Sequence, residues 1–182
     1  MESKISITKA VPVQATGKCY VGIDDNSPKY SFINNCSMPA NVYTLAKAFL
    51  SISSMTHKKL QKLCYYAKAW HLALYDENLI SEQFQAWVHG AVQPALYSSY
   101  KKYGFDIIPM EESKTGIPEA FISFANEIYQ AYGHLTGDQL EAINHTEEPW
   151  LKARVGYKPW EKCTNEISEE DMKLYYRSMM HE

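Results

Sequence analysis

The strongest constraint on the fold is a run that begins at Thr56 and ends near Asp76. Within it Leu60, Leu63, Ala67, Trp70 and Leu74 recur at steps of three or four. That spacing places all of them on one stripe of an α-helix, and such a stripe belongs in a core. Thr56 can cap the helix start, and the Asp76-Glu77-Asn78 turn signal closes it. Everything else in the chain has to pack around this rod.

The flanking segments repeat the helical period. Asn41 is placed to cap a helix carrying Val42, Leu45, Ala46 and Phe49. Pro94 suits the first turn of a short helix through Leu96 and Tyr97, and Pro118 the start of one carrying Phe121, Phe124, Ala125, Ile128 and Tyr132, with Gly133 at its end. Thr136-Gly-Asp-Gln139 spells a capping box, in which the Thr hydroxyl and the Gln amide each satisfy a free backbone N–H. Pro149 opens a brief helix through Trp150 and Ala153, and Ser168-Glu-Glu-Asp171 starts the last, with acidic side chains at the positive end of the helix dipole. Only Phe84–Gly90 reads as a strand or extended connector. The expected fold is mainly α, a compact helical bundle over 41–182. Residues 1–40 form a separate extension whose alternating Ile5, Ile7 and Tyr20, Gly22, broken by Pro12, Gly17 and Pro39, predict short strands or irregular chain.

Charge narrows the function classes. Residues 41–110 carry seven Lys against four Asp or Glu, whereas 111–182 carry seven Lys or Arg against fourteen Asp or Glu. An acidic second half disfavours nucleic acid as a partner, and Arg154 and Arg177, the only arginines, do not make a recognition helix. No apolar run reaches the roughly 20 residues of a membrane span, and the start lacks a secretory h-region, so a cytoplasmic location is expected. In that compartment Cys19, Cys36, Cys64 and Cys163 read as free thiols.

The residues that invite a chemical reading do not assemble into a site. His57, Cys64 and His71 are spaced by seven, which is a rise of about 10.5 Å, too far for ligands of one ion. A buried Cys64 between partly exposed histidines is the expectation. The same spacing prevents Cys64 and His71 from acting as nucleophile and base, and Glu147-Glu148 and Glu169-Glu170-Asp171 point apart on their helices. A hydrolase using Cys64 or His89 would need groups from different helices. No catalytic, metal or cofactor residue is assigned, and the chain is expected not to be an enzyme.

Aromatic supply is the remaining feature, with four Trp and fourteen Tyr. Tyr and Trp join apolar area to a polar tip and so make good interface anchors. Trp70 and Trp87 read first as core. The partner-binding candidates are Tyr66, Trp87, His89, Tyr97 and Tyr100, with residues 56–76 and 94–103 offering an aromatic surface that 1–40 extends.

In order along the chain stand Lys59-Leu-Gln-Lys-Leu-Cys-Tyr-Tyr-Ala-Lys-Ala-Trp70, Phe84-Gln-Ala-Trp-Val-His-Gly90, Pro94-Ala-Leu-Tyr97, Leu135-Thr-Gly-Asp-Gln-Leu140, His145-Thr-Glu-Glu-Pro-Trp150 and Ile167-Ser-Glu-Glu-Asp-Met172. This series resembles the Panacea domain, also described as antitoxin SocA-like or phage-associated GepA-like. Where the family tends to have Gly-Pro-Val, this chain has Gly90-Ala91-Val92. The resemblance implies a helical domain that neutralises a cognate protein toxin, encoded by an adjacent gene, by direct binding. Some relatives look instead like adaptors that deliver a toxin to a host protease, and a phage or mobile-element protein that inhibits a host defence component is a further alternative. It also implies that Leu60, Leu63, Tyr65, Tyr66, Trp70, Trp87, His89, Gly90, Pro94 and Trp150 maintain a shared scaffold, with partner choice left to variable exposed positions.

Overall fold

A computed structural model describes residues 41–180, and the strands expected in 1–40 lie outside them. The described part is mainly helical, in the order α1 (Val42–Leu50), β1 (Met55–Thr56), α2 (His57–Tyr75), β2 (Gln85–Trp87), β3 (Gly90–Val92), α3 (Pro94–Tyr100), a 3-10 turn (Lys101–Tyr103), β4 (Ile107–Ile108), α4 (Glu119–Tyr132), α5 (Gly137–Asn144), α6 (Glu148–Ala153) and α7 (Glu169–Ser178).

The ends of these helices follow from their capping residues. The Asn41 side chain accepts from the backbone N–H groups of Tyr43 and Thr44, and Thr56 accepts from that of Lys59. The capping box of Thr136 and Gln139 forms in both directions. Asp76 ends α2 in the left-handed region at φ 59°, which a short polar side chain tolerates better than most.

α2 is the central rod. α7, α5, α4, α1 and α3 all pack on it, so every residue from Leu60 to Ala73 is buried. The spacing predicts a one-sided stripe, and the difference arises because helices surround α2 on all sides. Full enclosure also buries two lysines, whose ammonium groups are held by hydrogen bonds. Lys62 donates to the carbonyls of His89 and Ala91; Lys68 donates to Glu82 O at 2.7 Å and pairs with Glu169 at 2.6 Å.

Enclosure corrects two sequence expectations. Tyr66 has no exposed surface: its ring stacks on Tyr132 at 4.3 Å, so it is a core residue and not a surface anchor. His57 and His71 are both buried, not partly exposed. His71 fills the space between α2 and α4, with Nδ1 2.7 Å from Glu77 O and its ring edge-on to Phe124. Trp70 is core as expected, its indole N–H donating to the Tyr132 hydroxyl at 2.9 Å.

The extended segment at 84–90 forms one arm of a hairpin. β2 and β3 pair antiparallel, with Trp87 opposite Gly90 and the turn at Val88-His89. A second, smaller ribbon joins β1 to β4, with Met55 opposite Ile108 and Thr56 opposite Ile107. Sequence periodicity does not predict this ribbon.

Candidate protein-binding surface

The hairpin is fixed to the core through buried polar groups. Beneath its turn, Lys62 holds His89 O and Ala91 O, while Asn144 Oδ1 accepts from Ala91 N at 2.6 Å. Asn144 passes the connection on by donating to Glu147 Oε2 at 2.9 Å. Burial pushes the Glu147 carboxyl up to about 7 and the Lys62 ammonium down to about 7. Gly90 sits over this chain of contacts at φ +87°, and a Cβ there would meet Lys62 Nζ at 2.5 Å. The close approach therefore requires glycine.

α3 is locked beside the hairpin by a buried amide pair. Gln93 N donates to Gln61 Oε1 at 2.9 Å, Gln61 Nε2 donates to Gln93 O at 3.3 Å, and the Gln93 side chain caps α3 through Leu96 N. This brings Tyr97 against Trp87, with ring centroids 5.0 Å apart, and against His57 at 5.1 Å. Burial, reinforced by the Lys62 charge, lowers the pKa of His57, so at neutral pH it presents an uncharged ring. His89 projects into solvent with Nδ1 3.0 Å from Glu141 Oε1, and Lys58 pairs with both Glu141 and Asp138 at 2.7 Å. Burial opposes ionisation of Glu141, but the hydrogen bonds from Lys58 and His89 outweigh it and hold its pKa below the ordinary value.

Three of the five sequence-predicted residues thus share one surface: Trp87, His89 and Tyr97 gather at the hairpin. Tyr100 is half-buried, and its ring partner is Tyr103, stacked at 6.3 Å. Tyr66 lies in the core.

Sequence reasoning missed the neighbouring element. Two side chains of the α6 region grip the backbone of β2: Trp150 Nε1 donates to Trp87 O at 3.1 Å, and Arg154 Nη1 donates to Ala86 O at 2.8 Å. The other end of the Arg154 guanidinium, Nη2, donates to Lys158 O, Pro159 O and Glu161 O at 3.0, 3.3 and 2.7 Å. One buried arginine therefore shapes the loop at 155–161 and ties it to the hairpin. The loop carries Val155 at 78% and Trp160 at 74% exposure with the exposed Tyr157 between them, and Leu151 in α6 is exposed as well. The available signal was Arg154 itself, one of two arginines in the chain, placed between Trp150 and the Tyr157-Lys-Pro-Trp160 run.

The groups considered for chemistry are not brought together here. Cys64 is enclosed in the middle of α2, and burial raises its thiol pKa, the reverse of what a nucleophile needs. Cys163 is also free and buried. Among the described residues no helix is long and apolar enough to cross a membrane.

Comparison with known proteins gives one family. The model of the antitoxin SocA-like, Panacea domain matches residues 60–151, which takes in most of α2, the hairpin and all but the end of α6. No curated protein and no solved structure gave a match. With 60–151 covering half of the 182 residues, this chain belongs to the antitoxin SocA-like, Panacea domain family.

Proposed function

We propose that this chain is an antitoxin that neutralises a cognate protein toxin by direct binding, acts without catalysis of its own, and uses the hairpin and the 155–161 loop as its binding surface. The observation that carries the reading is the loop held by Arg154, which offers Val155 and Trp160 to solvent on a backbone that is already organised. Binding through a preformed loop costs less conformational entropy than ordering a flexible one, and Trp is among the residues that most often dominate interfaces. The half-buried Trp87 and Tyr97 continue the aromatic surface beside it.

Position relative to the family match supports a division of labour. Lys62, Gly90 and Asn144, which fix the hairpin turn, fall within 60–151, whereas Arg154 and the Val155, Tyr157 and Trp160 of its loop fall beyond it. A shared scaffold with a chain-specific loop suits a family member that must choose its own toxin.

Co-expression with the product of the adjacent gene tests this. Growth rescue together with a stoichiometric complex and undiminished toxin is the expected result. Rescue that depends on a host protease and depletes the toxin would instead make the chain a delivery adaptor, and a complex with a host defence component but no toxin would overturn the antitoxin reading.

A further inference from the structure

The ribbon of β1 and β4 presents an apolar shelf on an anchored backbone. Phe105, Ile107 and Met110 are 98%, 61% and 51% exposed, while Ile108 between them is buried. Main-chain hydrogen bonds hold the segment at both ends: Asp106 N donates to Tyr103 O at 2.7 Å, and Glu111 N donates to Leu50 O at 2.9 Å. β4 pairs with β1 along one edge, and its other edge has no strand partner among the described residues. An open edge flanked by exposed apolar side chains is a template for another strand.

The charges around the shelf indicate what suits it. Lys101 and Lys102 precede it on the 3-10 turn, and Glu111 and Glu112 follow it, so the segment is positive at one end and negative at the other. Lys101, Lys102 and Glu112 are exposed and Glu111 is half-buried. None of the four makes an ion pair with another described residue. Two such segments laid antiparallel across a twofold axis bring the lysines of each to the glutamates of the other. With the axis between Asp106 and Ile107, Lys102 falls opposite Glu111, Lys101 opposite Glu112 and Tyr103 opposite Met110. A parallel arrangement sets like charges together. Closed twofold symmetry requires one patch that complements itself, and this segment does so in both charge and apolar content.

We propose that the β4 edge is a dimer interface. A second copy of this chain pairs antiparallel with the first, covers Phe105, Ile107 and Met110, and sets Lys101 and Lys102 against Glu111 and Glu112. Two features limit its strength: Asp106 lies nearest the axis, close to its own counterpart, and Pro109 has no N–H to donate. A short ladder with three apolar side chains per copy makes a small interface, so the dimer is weak and concentration-dependent. It uses no residue of the hairpin or of the 155–161 loop and stands independently of the toxin-binding reading.

Sedimentation equilibrium of the purified full chain tests the interface. From about 5 µM to about 500 µM the mass should move from one chain toward two and stop there. Phe105→Ala, at an exposed position, should weaken the dimer by about tenfold. Lys101→Glu with Lys102→Glu should leave a monomer, and so should Glu111→Lys with Glu112→Lys in a separate variant. An equimolar mixture of those two variants should form a mixed dimer, because each facing pair then carries opposite charges; an unfolded variant could not do this. Asp106→Asn should tighten the wild-type dimer. A single-chain mass at every concentration would overturn the proposal. So would a dimer that persists in both charge variants, a mixture that stays monomeric, or assembly that continues past two copies.

Discussion

Replacing Glu147 by Gln should make the protein more stable at neutral pH and leave it nearly unchanged in acid. The Glu147 carboxyl lies in the core with Asn144 donating to it, and burial pushes it up to about 7 against the pull of that hydrogen bond and of the Lys62 charge. Its ordinary value is 4.5. Between those two pH values the folded chain holds a proton that the unfolded chain has released, so the stability Glu147 contributes is fully present below the lower value and is lost as pH rises through the higher. At about 1.4 kcal/mol per unit, the full window corresponds to about 3 kcal/mol. Gln has nearly the shape of the protonated acid and does not titrate, and Lys62 stays in place in both proteins. Urea unfolding followed by Trp fluorescence, from about pH 4 to about pH 8, should therefore show two proteins of similar stability at the acid end. The variant should gain by up to about 3 kcal/mol at the other. Parallel curves, or a wild-type chain that gains on the variant as pH rises, would refute the assignment of a neutral buried carboxyl.

Three further substitutions probe the scaffold. Trp70→Ala removes a fully buried indole together with its bond to Tyr132 and should lose about 3 to 5 kcal/mol in urea unfolding; a variant that stays equally stable and only loses partner binding would contradict its core placement. Gly90→Ala forces a Cβ to φ +87° and to 2.8 Å from Asn144 Oδ1, so a loss of about 1 to 3 kcal/mol is expected, and a neutral result would mean that the hairpin does not sit on Lys62 and Asn144 as described. Arg154→Ala strips the donor from the carbonyls of Ala86, Lys158, Pro159 and Glu161. It should cost about 2 to 3 kcal/mol and make 155–161 the first site of limited proteolysis, whereas an unchanged cleavage pattern would rule out the clamp.

The helical framework was legible because its signals are local. Asn41, Thr56, Thr136 with Gln139, and Ser168 cap the helices they were expected to cap, and each acts on backbone groups two or three residues away. The ribbon of β1 and β4 was not legible, since each strand has two residues and their pairing joins Met55 to Ile108 across the fold. Tyr66 failed as a surface candidate for a related reason: periodicity identifies one apolar stripe but not how many helices surround the rod, and α2 is enclosed on every side. Trp87, His89 and Tyr97 did come together, because the hairpin and the helix opened by Pro94 adjoin in sequence. The loop held by Arg154 escaped notice since its shape is set by one guanidinium bonding to main-chain carbonyls, which leave no trace in the pattern of side chains.

The central claim, that this chain binds a protein toxin through the hairpin and the 155–161 loop, is tested most directly by titrating the purified full chain with the product of the adjacent gene. Wild type, Trp160→Ala and, as an exposed control outside both the hairpin and the loop, Lys114→Ala would be compared. Trp160 is 74% exposed, so its truncation should leave the urea midpoint unchanged yet weaken binding by about 2 kcal/mol, roughly thirtyfold, while the control binds as wild type. Binding that is indifferent to Trp160→Ala would remove the loop from the interface, and absence of any complex would contradict neutralisation by direct contact.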